Sequence, residues 1–492
     1  MRPRPFLITL AVSAAVAAQP PIVALPAPTH PAVTLRIVFR AGSVDDPPGK
    51  EGLTALTAEL MAEGGTVRRS AAELHQVLYP LAAEVDVAVD REMTVFSGRV
   101  HRDEFATFLP EFLDVLTRPR WDPKEFARLR DDAENELVRQ LRTSDDEALG
   151  KAVLDRMLYP HHPYGHPIVG TVAGLRALTL DDVKAQAARL FCRARLIVGI
   201  AGGYPDSAVA TLEAGLTALP PGAARPEVAL PPVPDGPKVL IVEKEAEATA
   251  VSMGFSWELS RRDPDFPALW LAFSAFGEHR QFTGRLMNRL REQRGLNYGD
   301  YAYLESFVQD HWGTFPRPNI ARSHQFFSIW LRPVEPANRL FALRAALYET
   351  DKLVKQGLTD DEVEGTKRFL AGYSQLYTQT DRRRLGYAID DLFNGTPGHL
   401  AKLQSALTHL TTAQVNAAIR KWITPQRLRI AIVTKNGAEL VRELASGEPS
   451  PIHYPSPKPQ AILEEDRTIE RFPLPLKATD IEIVSAKQLF EK

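Results

Sequence analysis

Three stretches of this chain carry residue types that could do chemistry. In His161-His162-Pro163-Tyr164-Gly165-His166-Pro167, His162 and His166 stand four apart, the spacing at which two imidazoles on a helix share a face and hold a metal. Pro163 and Gly165 argue against a helix there, so the stretch reads as a structural turn, with an atypical metal site as the alternative. Glu59 and Glu63 lie one turn apart in residues 52–66 (GLTALTAELMAEGGT) and read as a solvated helix face. A hydrolytic zinc helix needs histidines at i and i+4 with a glutamate between them to take a proton from water, and no histidine occurs between His30 and His75. The third stretch is Arg285-Leu286-Met287-Asn288-Arg289-Leu290-Arg291-Glu292-Gln293-Arg294-Gly295-Leu296-Asn297-Tyr298. It reads as a helix with Leu286 and Leu290 inward, ending near Gly295 and entering an aromatic strand with Tyr298, Tyr301 and Tyr303. On residue types alone its arginines are ordinary surface groups. Cys192 is the only cysteine, in the apolar run Leu190-Phe191-Cys192, and reads as a buried thiol rather than a nucleophile.

Local signals predict the elements that hold these residues. Ser70-Ala71-Ala72-Glu73 is a capping box. Phe105, Phe108, Leu109, Phe112, Leu113 and Leu116 follow helical spacing. Asp122-Pro123 opens another helix, whose buried side continues through Phe126, Leu129, Ala133, Leu137 and Leu141. Residues 85–89 and 93–97 alternate as a hairpin. Leu178-Thr179 and Val183 match Leu410-Thr411 and Val415, and Arg195-Leu196 and Ile200 match Arg427-Leu428 and Ile432, all at one offset of 232. Each set predicts a helix opening on threonine and then a strand, so the halves read as a duplication.

The 492 residues suffice for two or three domains; a net charge of −2 gives no case for nucleic acid or a membrane surface. Arg2 and Arg4, an apolar run from Phe6 to Ala15 and Val16-Ala17-Ala18 read as a secretory signal cut after Ala18. The predicted location is therefore periplasmic or secreted, with no stable membrane insertion. The expected division is 1–18 signal, 19–222 first domain, 223–238 proline-rich linker, 239–445 second domain and 446–492 proline-rich extended tail.

The strand at 33–39 followed by the helix at 52–66, His162-Pro163-Tyr164-Gly165, the repeated Leu-Thr-x-x-x-Val, and Leu290-Arg291-Glu292-Gln293-Arg294-Gly295-Leu296-Asn297-Tyr298 together resemble peptidase family M16, the pitrilysin/insulinase zinc peptidases, in its two-domain bacterial branch. The resemblance implies an α+β fold of two tandem homologous domains, each a mainly antiparallel sheet covered by helices on one face. Active members carry His-x-x-Glu-His on the first helix. Counted from Gly52 those positions fall on Ala55, Ala58 and Glu59; counted back from Gly65-Thr66 they fall on Leu56, Glu59 and Leu60. Neither register supplies a histidine. Glu134 and Glu136 lie in the region of the family's third ligand. The resemblance also gives Arg291 and Tyr298 a role: an arginine and a tyrosine seven apart that hydrogen-bond substrate opposite the zinc, a guanidinium and a phenol placed to hold a peptide carbonyl. Residues 276–282 depart from the family's glycine-rich loop, and His279 there reads as solvated. The expectation is a non-catalytic, substrate-binding subunit of an exported heterodimeric zinc peptidase. It would have no cofactor of its own, a paralogous partner with intact His-x-x-Glu-His and zinc, and a peptide substrate held by Arg291 and Tyr298. The alternatives are a structural or binding protein without a role in proteolysis, and a self-sufficient hydrolase with an atypical metal site.

Overall fold

The computed structural model describes residues 20–233, 236–278, 283–309, 315–474 and 476–492; the export segment 1–18 and His279 lie outside the described residues. The first half folds around β1 (Ile22–Pro26), β2 (Ala32–Phe39), β3 (Glu84–Val89), β4 (Thr94–His101) and β5 (Leu196–Gly202). They lie side by side in the order β1-β5-β2-β4-β3, with only β1–β5 parallel. The second half uses β6 (Lys238–Glu243), β7 (Thr249–Trp257), β8 (Asp300–Tyr303), β9 (Gln325–Val334), β10 (Arg429–Thr434) and β11 (Ile481–Ser485). Their order is β11-β6-β10-β7-β9-β8, parallel at β11–β6–β10 and antiparallel elsewhere. Remove β11 and the two sheets have the same order, which is the duplication seen in sequence. Its local signature is physical: Thr179 and Thr411 each accept the N–H of the residue three on, at 3.2 and 3.3 Å, in reciprocal capping boxes.

Each half is thus a mainly antiparallel sheet with its own helices, as the pattern predicts. The remaining sheet faces are covered by exchange. The helix Asp146–Leu158 of the first half lies on β7 and β10, where Val153 and Leu154 share one core with Ala250 and Val433. Gly150 permits this approach, since a Cβ there would stand 3.1 Å from the Ser252 hydroxyl. Reciprocally, Asp381–Asn394 lies on β5, β1 and β2, packing Leu385 and Ile389 against Val38 and Ile197. Helix packing therefore crosses the boundary expected between the domains. Buried polar contacts join the same surfaces: Arg322 Nε to Asp90 at 3.1 Å, Ser323 Oγ to Glu92 at 2.8 Å, and Arg225 and the Tyr164 hydroxyl to that same Glu92.

The tail corrects the sequence reading. Residues 447–459 carry no regular element, but Gln460–Ile469 is a helix and β11 adds a parallel edge to the second sheet. Leu489 and Phe490 then enter the core shared by the two halves, and the carbonyls of Phe490 and Glu491 accept the N–H groups of Val172 and Ala173 at 3.0 and 2.9 Å. The prolines that suggested an extended tail stop before residue 460. Beyond them, the free edge of β6 gives the backbone of 481–485 hydrogen-bond partners.

Candidate functional site

The helix Leu53–Glu63 is started by Asp46, whose carboxylate accepts the N–H groups of Gly52 and Thr54 at 2.8 and 2.7 Å. Nearly all of the helix is buried. Leu56 and Leu60 belong to the core formed with Leu129 and Leu137, so they cannot face a ligand. Glu59 is half-buried on another side. Its carboxyl is pushed up to about 7, first by burial and then by the negative charges of Glu136, Glu63 and Asp132, against which Arg128 acts. Burial also raises Glu136. Of the two carboxylates in the region of the third ligand, Glu136 is the one whose charge acts on Glu59. Glu134 points elsewhere, bonded to Arg176 at 2.5 and 3.1 Å and held below the usual carboxylate range by that hydrogen bond.

This corrects the solvated-face reading of Glu59. The helix Pro123–Asn135 and the wider π-helical turn Glu136–Ser144 that prolongs it bring carboxylates against it. Glu63 is exposed and bonded to Arg128 at 3.1 Å. Zinc at a hydrolytic site takes three nitrogen, sulfur or carboxylate ligands and leaves one position open. Here a methyl group stands at Ala55, which is 6% exposed, and among the described residues no three side chains of metal-binding type converge. The donors present do not fit the family's ion. Glu59 can hold a proton near neutrality, and no hydrolytic step is assigned to it or to Glu136.

The histidine stretch is a turn, Pro163–Gly165. The His162 Nδ1 accepts the Tyr164 N–H at 3.2 Å, which leaves Nε2–H to donate to the Ala229 carbonyl at 3.0 Å. Both nitrogens are used, and burial holds this ring below its usual pKa. Burial and Arg91 hold His166 at about 4. These contacts make the stretch a brace for the chain around Ala229 and remove the basis for an atypical metal site there.

The arginine-rich segment is wound as a π-helical turn, Met287–Glu292, with Leu286 and Leu290 fully buried. Three of its arginines are locked. Arg285 bonds Glu362 at 2.8 and 2.9 Å. Arg289 bonds Glu349 at 3.1 Å and also Glu465. Buried Arg294 bonds Glu465 and Asp466, both at 2.8 Å. Glu465 and Asp466 come from the tail helix, a contact no sequence signal announced. The Arg291 side chain is part-exposed and bonds its neighbour Glu292 at 2.5 Å. After Gly295, in the left-handed region at φ 70°, the chain reaches Tyr298, which is 79% exposed, while Tyr301 and Tyr303 are buried in β8. Arg291 and Tyr298 thus stand on the second half, and Glu59 and Glu136 on the first.

Comparison with known proteins bears on the family and the fold. The family profile described as insulinase (peptidase family M16) matches residues 22–172, and that of the peptidase M16 inactive domain matches residues 177–370. The chain is similar to the non-peptidase homolog YmxG of Helicobacter pylori, 24% identical over 81% of this chain and 88% of that protein. It is also similar to an uncharacterized zinc protease, YmxG, of Bacillus subtilis, 21% identical over 83% and 95%. Among solved structures, a peptidase M16 inactive domain from Pseudomonas fluorescens superposes with a TM-score of 0.76 at 24% identity, covering 85% of this chain and 97% of that one. A protease from Helicobacter pylori superposes at 0.71 with 16% identity, covering 85% and 98%. With both profiles matched in tandem across the two sheets, this chain belongs to peptidase family M16.

Proposed function

We propose that this protein is the non-catalytic, substrate-holding subunit of an exported M16 heterodimer, paired with a paralogue that carries His-x-x-Glu-His and zinc. The observation that carries this reading is the placement of the pair: Tyr298 is 79% exposed and Arg291, seven residues before it, is part-exposed on the same segment. A guanidinium and a phenol there would donate hydrogen bonds to a peptide carbonyl of an extended substrate, and would strengthen those bonds as negative charge grows on its oxygen. The partner would supply metal and base, which the Ala55/Ala58/Glu59 helix does not. The name of the Helicobacter pylori relative, a non-peptidase homolog, supports the loss of catalysis. Export rests on the basic and apolar residues 1–18; among the described residues no helix is long and apolar enough to cross a membrane.

Purified alone, the protein should cleave no peptide and hold no stoichiometric zinc; mixed with the paralogue it should gain peptidase activity. Arg291→Ala or Tyr298→Phe should then lower turnover about 10- to 1000-fold, the scale of a lost oxyanion donor, with assembly intact. A second reading, a binding protein with no part in proteolysis, draws support from the Arg291–Glu292 contact, which substrate would have to break. Unchanged kinetics in both variants would decide for it.

A further inference from the structure

A cavity of about 80 Å³ lies in the second half, and neither Glu59 nor Arg291 lines it. Its walls are aromatic: Trp270, Phe273, Tyr303, Phe307, Tyr377 and Tyr387 all line it. Tyr303 and Phe307 stack at 4.1 Å and almost parallel, 12° apart. Arg261, Glu305, Glu278 and His399 supply the polar lining. Arg261 and Glu305 neutralise one another through two bonds, 2.7 and 3.1 Å. Burial and Arg261 hold His399 at about 4, so it is neutral. Glu278 remains. Its Oε1 accepts the Tyr377 hydroxyl at 3.3 Å, and its buried Oε2 has no hydrogen-bond partner among the described residues. A carboxylate removed from water without a counter-charge is costly, and aromatic faces present negative charge to whatever enters.

We infer that this cavity binds an alkylammonium or guanidinium group, with Glu278 as its counter-charge and the aromatic walls as its cage. The volume admits a cationic head and a short stem, not a drug-sized molecule. Two sources carry this chemistry: a free amine, or a lysine or arginine side chain. Burial now pushes the Glu278 carboxyl up to about 7, against the hydroxyls of Ser274 and Tyr377 beside it. An entering cation favours the ionised form, so affinity should rise with pH across neutrality. Of the groups that face it, Tyr303 and Tyr377 are held well above 10 and Arg261 is bonded to Glu305, so Glu278 is the one that titrates in that window.

Calorimetric titration of the full chain tests this with n-butylammonium and its neutral counterpart 1-butanol. The expected result is a dissociation constant for the cation in the millimolar range, the scale reached by very small ligands, at least about tenfold below that of the alcohol. Glu278→Gln, which keeps the shape, should abolish the preference and leave the alcohol unchanged. A capped Ala-Lys-Ala peptide separates the sources: binding by it as well assigns the cavity to side chains, and binding of butylammonium alone assigns it to free amines. Equal affinity for alcohol and cation, a preference that survives in Glu278→Gln, or no heat from either ligand would overturn the inference.

Discussion

Replacing Glu59 by glutamine should stabilise the protein, and only at the alkaline end. In the fold this carboxyl titrates near 7 against an ordinary value of 4.5, first because it is buried and then because Glu136, Glu63 and Asp132 stand around it. A carboxyl whose folded pKa is raised favours folding below its unfolded pKa. That contribution is lost as pH climbs from about 4.5 to about 7, because the unfolded chain releases the proton more readily. With these two values the cost of ionising it is about 0.8 kcal/mol at pH 5 and about 3.3 kcal/mol at pH 8, a difference of about 2.5 kcal/mol. Glutamine keeps the shape and removes the charge. Wild type and Glu59→Gln should therefore unfold at similar temperatures at pH 5, and the variant should unfold several degrees higher at pH 8, the shift such an energy produces in a unit of about 200 residues. Scanning calorimetry at both values measures it. Glu134→Gln is the control: that carboxylate is bonded to Arg176 and held below the usual range, so its loss should bring no stabilisation at pH 8. If Glu59→Gln shifts the transition equally at pH 5 and pH 8, the carboxylate cluster does not exist as described.

The other predictions test the remaining supports. Phe490→Ala should lower the unfolding temperature, since Phe490 is 3% exposed within the core shared by the two halves and truncating a buried phenylalanine costs roughly 3–5 kcal/mol; an unchanged transition would mean that the tail does not dock there. Arg294→Ala should cost about 3–5 kcal/mol by leaving Glu465 and Asp466 with less counter-charge, and limited proteolysis should then cut between 447 and 459; resistance equal to wild type would remove the tail's locking role. Dialysis against a chelator should leave the unfolding temperature of the isolated chain unchanged, because no set of ligands converges at Ala55, Ala58 and Glu59; a drop of several degrees restored by zinc would refute that.

Much of the fold was legible because it is local. The hairpin of β3 and β4 follows from alternation, with Val89 opposite Thr94 at its turn. The helices after Thr179 and Thr411 follow from residues that satisfy backbone donors within one turn. The candidate site was legible as an absence, since no arrangement of Leu53–Glu63 can present imidazole. Which carboxylate acts on Glu59 was not legible: it depends on Glu136 coming near while Leu56 and Leu60 turn into the core. The tail misled for a related reason. Prolines report local stiffness, whereas β11 is decided by an unpaired strand edge far away in sequence.

By itself the sequence determined the duplication, the element types, the lost metal ligands and the family, all of which depend on residue identity at short or fixed spacing. Only the tertiary structure decided the burial of Glu59, the exchange of helices between the halves, the tail's hold on Arg289 and Arg294, and the exposure of Tyr298. These are long-range outcomes: a side chain's charge, freedom and partners are set by what packs against it, and that neighbour is not written beside it in the chain.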